Sequence, residues 1–272
     1  MATTQFRPVL APGALEGHSV LVTGAGSGIG RAIALRLLAL GARVTGCGRT
    51  AETLAETGRL AGGAAPYRHE VCDVRELDEA ADMVARTAGR DGLTGLVNNA
   101  GGQFFAPAER ISARGWKAVI ELNLNAVFNL IVAARPFLAA AHGAVVSMSL
   151  SPVERGAVGM AHSLAARAGV LGLTRSLALE WAGDGIRLNC IGPGTVLTPA
   201  LAGESEGGPV GGPIGRLIAA TPMGRATSPE EVAELTAFLL SSAGAMMTGQ
   251  LIQIDGGAHL GAPVNMLGED TR

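Results

Sequence analysis

Short apolar runs alternate along the chain with longer stretches whose apolar residues recur at helical spacing. Seven of the short runs read as strands: SVLVTGA at 19–25, ARVTGCG at 42–48, PYRHEVC at 66–72, GLVNNA at 95–100, GAVVSMS at 143–149, IRLNCIG at 186–192 and QLIQIDG at 250–256. Amphipathic stretches between them predict helices over 28–40, 75–88, 112–140, 155–182 and 228–241. Strand–helix alternation repeated this often predicts an α/β fold, a doubly wound parallel seven-stranded sheet with helices on both faces. No break in composition divides residues 1–272, so a single domain is expected. The polar, Gly-rich stretch 199–221 is the longest irregular insertion. It reads as a substrate lid over about 195–222 or as a plain surface loop.

Composition narrows the classes. With 48% of its 272 residues hydrophobic and 16% charged, the chain has material for a core and is not a disordered one. Forty glycines and 13 prolines keep no triplet period, which excludes collagen. A formal net charge of -2 and a pI near 6.2 leave no basic field for nucleic acid. Lys117 is the only lysine, an arginine preference that a GC-rich coding sequence would produce. Cys47, Cys72 and Cys190 are odd in number, far apart and without metal-ligand spacing. No metal site and a reduced, cytoplasmic protein are therefore expected. The start has no charged n-region followed by an apolar run, and no uninterrupted run of about 18 apolar residues occurs. Neither a signal peptide nor a membrane span is expected.

The first chemistry lies where the first strand meets the first helix, at Thr23-Gly24-Ala25-Gly26-Ser27-Gly28-Ile29-Gly30. Glycines there let the backbone turn tightly and approach a pyrophosphate, and the helix N-terminus offers free N–H groups and a positive dipole end. This spacing in a strand–turn–helix context is the Rossmann fingerprint of a dinucleotide site. The second strand ends in Gly48-Arg49-Thr50, with no acid to hold a ribose 2′-OH. Arg49 can grip a 2′-phosphate through its planar fork, which tips the expected cofactor to NADP(H).

The chain resembles the short-chain dehydrogenase/reductase family over nearly all its length. The matching pieces are TGAGSGIG, CDV (Cys72 to Val74), NNAG (Asn98 to Gly101), LNL (Leu122 to Leu124), IGPG (Ile191 to Gly194) and IDGG (Ile254 to Gly257). The resemblance implies a cofactor cleft built from Gly24, Ser27, Gly28, Ile29, Gly30, Arg49 and Thr50. It implies that Asp73 and Val74 contact the adenine and that Asn99, Ala100 and Gly101 line the cleft. Pro193, Gly194, Val196 and Thr198 would embrace the nicotinamide end. It also implies a homotetramer that packs 112–140 and 155–182 against their copies, with HLGAPVNML near the C-terminus crossing to a neighbour.

The catalytic positions depart from that pattern. The family carries Asn, Ser and a Tyr-x-x-x-Lys pair. Asn123 matches the Asn, but the Tyr position is Ser163, the Lys position is Arg167 and the Ser position, 13 residues before Ser163, is Leu150. The only tyrosine, Tyr67, lies on a strand far away in sequence. Reducing a ketone makes an alkoxide that needs an acid and a polarising hydroxyl. Leu150 supplies neither, and Arg167 is too basic to relay protons. Ser163 and Arg167 share a helix face, so Arg167 can hold the nicotinamide ribose or an oxyanion. His162 is the nearby group that titrates close to neutrality, as a proton donor or as a structural histidine.

AHSLAARAGVLGLTRSLALEWA (161–182) and NNAGGQFFAPAERISARGW (98–116) are similar to an atypical subgroup with His-Ser-x-x-Ala-Arg in place of Tyr-x-x-x-Lys. That subgroup includes peroxisomal trans-2-enoyl-CoA reductases and bacterial citronellol and citronellal dehydrogenases. It implies that Gln103 and Phe104, with Leu150, face the substrate, although Phe104-Phe105 would equally suit a core. Hydride addition to a conjugated thioester puts charge on the thioester oxygen, where fixed donors are sufficient. The first reading is thus NADPH-dependent reduction of the C=C bond of an α,β-unsaturated acyl thioester or related enone. The second is an NADP-dependent alcohol or carbonyl dehydrogenase lacking the usual pair. The third is a cofactor-binding protein with a non-redox or regulatory role.

Overall fold

The computed structural model describes residues 7–62, 66–198 and 213–261. Seven strands lie where the apolar runs predict them: β1 (Ser19–Thr23), β2 (Arg43–Gly48), β3 (Tyr67–Val71), β4 (Gly95–Asn98), β5 (Ala144–Met148), β6 (Arg187–Pro193) and β7 (Leu251–Ile254). They form one all-parallel sheet in the order β3-β2-β1-β4-β5-β6-β7. Helices α1 (Gly28–Ala39), α2 (Ala51–Leu60), α3 (Leu77–Asp91), α4 (Ala113–Ile120), α5 (Ala126–Ala141), α6 (Ala161–Glu180), α7 (Pro213–Ala219) and α8 (Pro229–Leu240) connect them. Two apolar cores form, one on each face. Residues of α3, α5 and α6 pack on one side, and residues of α1 and α8 on the other. The fold is the doubly wound Rossmann-like sheet.

Three helical expectations need correction. The helix expected from 155 starts at Ala161, because Gly156 and Gly159 take φ +87 and +78 and interrupt helical continuity. Helix α2 was not predicted; it buries only Leu54 and Thr57, too little to show as periodicity. Within the expected lid, Pro213–Ala219 is helical, while 199–212 lies outside the described residues, as does 262–267 of the expected crossing segment.

The stretch 113–141 is one continuous helical run, long and apolar enough to cross a bilayer by length and composition. The expectation of no such segment rested on unbroken apolar runs and missed it. In the fold, its Val127, Leu130, Ile131, Ala134 and Leu138 are buried in the core against α3 and the sheet.

Strand order reverses between β1 and β4, since successive connections leave β1 in opposite directions. The crevice at the carboxyl ends of those strands is where such sheets bind ligands.

Candidate active site

The crevice is built first from backbone. Ser27 precedes α1 without capping it, and the first turn holds no acid, so the free N–H groups are left for an anion. A Cβ on Gly30 would fall on the Gly24 carbonyl and the Asn99 amide, so only glycine lets α1 sit this close to β1. Asn99 clips β4 to β1: its Nδ2 donates to the Thr23 carbonyl at 2.9 Å. Thr23 Oγ1 accepts from the Asn99 and Ala100 N–H groups, each at 3.0 Å.

One cleft of about 350 Å³ opens over this turn. Gly24, Ser27, Gly28, Ile29, Gly30, Arg49, Thr50, Asp73, Val74, Asn99, Ala100, Gly101 and Thr198 all line it, as the sequence reading expects. Pro193, Gly194 and Val196 sit at the end of β6 and just beyond, outside that lining. Thr53 and Arg75 also line the cleft and were missed. Thr53 belongs to the unpredicted α2. Arg75 stands two residues after Asp73 and pairs with its carboxylate at 2.5 Å. That pairing, despite partial burial, holds the Asp73 carboxyl below its ordinary range. Arg49 is exposed at the cleft, Gly48 stands at the end of β2 where an acid would hold a ribose, and the Asp73 carboxylate on the same cleft feels the Arg49 charge.

Below Gly101 lies Arg167, buried on α6. A Cβ at Gly101 would fall on its Nη2, so the guanidinium occupies space that glycine leaves. Nη1 donates to the Met148 carbonyl at 2.5 Å, while Nε has no partner. Among the described residues no carboxylate pairs with it. Burial pushes its pKa down to about 10, which still leaves it charged at neutral pH. A buried cation without an anion is costly unless something else completes it.

Asn123 falls on a single π-helical turn (Glu121–Asn125) between α4 and α5. Such a turn bulges the helix and often marks functional positions. Its amide is clamped to one residue: Nδ2 donates to the Gly102 carbonyl at 2.8 Å and Oδ1 accepts from the Gly102 N–H at 3.0 Å. A Cβ on Gly101 would also lie 3.0 Å from Asn123 Oδ1, so Asn123 and Arg167 meet under the same glycine.

Ser163, one turn before Arg167, is buried and donates its hydroxyl proton to Gln103 Oε1 at 2.9 Å. His162 is fully buried, its ring 4.2 Å from that of Phe104. Neither imidazole nitrogen makes a hydrogen bond of normal geometry, the Phe104 main chain giving only a weak contact. Burial pushes the His162 pKa down, so the ring is neutral at physiological pH. Leu150 follows β5, half-buried, with its carbonyl against Gly192. Tyr67 is on β3, where burial pushes its phenol up to about 12. Among the described residues no His/Cys/Asp/Glu group could hold a metal, and the three cysteines are free and buried.

The chain is similar to known proteins along nearly its full length. The family profile described as Enoyl-(Acyl carrier protein) reductase matches residues 24–259. A Bacillus subtilis protein named "Probable 2,4-dienoyl-CoA reductase [(2E)-enoyl-CoA-producing]" is 38% identical over 90% of this chain and 98% of its own length. D-threitol dehydrogenase of Mycolicibacterium smegmatis is 38% identical over 89% of this chain and 93% of its own. Among solved structures, the citronellol catabolism dehydrogenase AtuB of Pseudomonas aeruginosa superposes with a TM-score of 0.82 at 34% identity, covering 93% of this chain and 100% of that one. A Beutenbergia cavernae structure with bound NADP superposes with a TM-score of 0.83 at 35% identity, covering 92% and 99%.

Proposed function

This chain belongs to the short-chain dehydrogenase/reductase family of oxidoreductases, and on that premise we propose that it uses NADPH to reduce the C=C bond of an α,β-unsaturated acyl thioester or related enone. The observation that carries this reading is Arg167, a buried and charged guanidinium under Gly101 with no carboxylate beside it among the described residues. A site with a fixed cation and no phenol suits a reaction whose charge grows on an oxygen away from the carbon that takes hydride.

The family binds a nicotinamide cofactor, and this cleft fits one. The uncapped start of α1 and the glycine cradle suit the pyrophosphate. Asp73 and Val74 would face the adenine, and Asn99, Ala100 and Gly101 would carry the chain of contacts towards the nicotinamide. Pro193, Gly194, Val196 and Thr198 would close around that end. Arg49, with Gly48 in place of an acid at the end of β2, would hold a 2′-phosphate, which is the case for NADPH over NADH. The bound cofactor would supply the hydride for the β-carbon, and water would supply the proton for the α-carbon.

The residues of this chain would act on the other end of the conjugated system. Ser163 has spent its proton on Gln103 Oε1, which leaves the Gln103 amide N–H groups to donate to a thioester oxygen. Arg167 would hold the enolate charge by its field and the nicotinamide ribose by its donors. Asn123 would fix the Gly101–Gly102 backbone around both. His162, neutral and packed at a tilt against Phe104, is a poor acid here, and Phe104 would form part of the acyl wall together with Leu150. Three free cysteines suit a reducing, cytoplasmic setting.

Likeness to D-threitol dehydrogenase keeps alcohol oxidation as the second reading. Turnover separates them. NADPH consumption with a crotonyl-type thioester supports enoyl reduction, and NADP reduction by alcohols supports the second reading. Tight NADP binding with no turnover across a broad panel would point to a non-redox role and overturn both.

A further inference from the structure

We propose that Asp255 is a positioning residue for this active site: its carboxylate turns Ser151 away from the substrate cleft and so sets Leu150 as the wall at the end of β5. The idea rests on the proposed function only in taking that wall as the side where substrate reacts.

Asp255 follows β7 and is 4% exposed, yet it is held ionised. Burial pushes its pKa up, but hydrogen bonds from Ser151, His259 and Gly257 outweigh that and leave it below the ordinary range. Ser151 Oγ donates to Oδ2, and so does the His259 N–H at 2.6 Å. The Gly257 N–H donates to Oδ1 at 3.0 Å, and His259 Nδ1 lies 3.0 Å from both oxygens. An ionised carboxylate can only accept, so the single proton of Ser151 must point at it.

The main chain of Ser151 is held from the same strand, since Gln253 Nε2 donates to its carbonyl at 3.2 Å. Sheet order places β6 between β5 and β7, so both contacts reach across the end of β6. They pass beside Gly194, where a Cβ would come within 2.9 Å of Asp255. The other hydroxyl flanking Leu150 is also committed: Ser149 Oγ donates to the Arg167 carbonyl at 3.4 Å. With both serines turned inward, the segment presents no hydroxyl to polarise a carbonyl. Asp255 is the side chain that commits Ser151, as the Arg167 carbonyl commits Ser149.

If Asp255 acts through Ser151, removing either partner breaks the same link. Asp255→Asn, Ser151→Ala and the double variant are compared for melting temperature, NADPH affinity by fluorescence, and kcat and KM on a crotonyl-type thioester. The expected result is a kcat lower by about tenfold in each single variant, a charge-assisted hydrogen bond being lost. The double variant should be no worse than either, because coupled partners are not additive. NADPH affinity should stay within about twofold, as neither side chain lines the cofactor cleft and both substitutions leave the Gly194 main chain in place. Multiplying effects, unchanged kcat in both variants, or a loss confined to NADPH affinity or melting temperature would overturn the proposal. If the wild type reduces only ketones, the enoyl reading falls, while the same comparison run on a ketone still tests Asp255. If it turns over neither, the Leu150 methyl NMR shifts of the NADP-bound variants decide: equal displacements support the link and unequal or absent ones refute it.

Discussion

At the scale of single residues, one missing Cβ decides where the site's charge lies. Gly101 leaves the space that Arg167 fills. Gly101→Ala should displace the guanidinium and reduce kcat on an enoyl thioester while the protein remains folded, as checked by steady-state kinetics beside circular dichroism. Arg167→Met removes a preorganised donor and should cost about 2.7–4 kcal/mol in the barrier. Ser163→Ala removes a neutral hydroxyl and should cost roughly 0.5–1.5 kcal/mol. Retention of full activity by Arg167→Met, together with its loss in His162→Ala, would contradict the oxyanion account. Tyr67→Phe should leave kcat unchanged, because the phenol is on β3 and its buried oxygen makes no hydrogen bond of normal geometry, Thr57 giving only a weak contact. Arg49→Ala should weaken NADPH binding by about 1.5–3 kcal/mol and NADH binding little, since it removes one charge-assisted phosphate contact. Equal wild-type affinity for the two cofactors would defeat the NADPH assignment.

At the scale of elements, α1 and α8 are tied together on one face of the sheet by a small polar hub. Glu234 on α8 accepts from Arg36 Nε on α1 at 2.5 Å and from the Val9 and Leu10 N–H groups at 2.9 and 2.8 Å. Burial alone would push the Glu234 pKa up, but Arg36, Leu10 and Val9 together bring it below its ordinary value. A depressed folded pKa adds stability that is present above the unfolded glutamate pKa of about 4.3 and disappears as pH falls through the lower folded value. Glu234→Gln should therefore lose about 1.5–3 kcal/mol near neutrality in urea titrations, with the gap to wild type closing in acid. A gap that stays constant down to pH 3, about a unit below the ordinary glutamate value, would rule out this linkage.

At the scale of the whole molecule, the 113–141 helical run buries one face and exposes another. Trp116, Phe128 and Val132 stand exposed along it, and Leu179 on α6 is 84% exposed. We infer that these residues pack against copies of the chain, giving the homotetramer. Light scattering should give four times the 27.4 kDa chain mass at micromolar concentration. Phe128→Asp with Val132→Asp should lower that mass, because buried charge without a partner is costly at an apolar interface. A monomeric wild type would contradict the assembly.

Period and punctuation along the chain determined the strands, the sheet class, the glycine turn and the loss of the family's Tyr, Ser and Lys. Those features are local: a buried strand needs a short apolar run, and a pyrophosphate turn needs glycine wherever it occurs. Helix α2 escaped because its contact with the sheet is carried by Leu54 and Thr57 alone. The state of the catalytic residues was not legible for a different reason. That Arg167 packs under Gly101, that Ser163 donates its hydrogen bond to Gln103 sixty positions earlier, and that Asp255 holds Ser151 from 104 positions away are contacts between distant segments. Sequence specifies which groups exist, but burial and partners set their charge and the direction of each proton, and only the packed sheet brings those partners together.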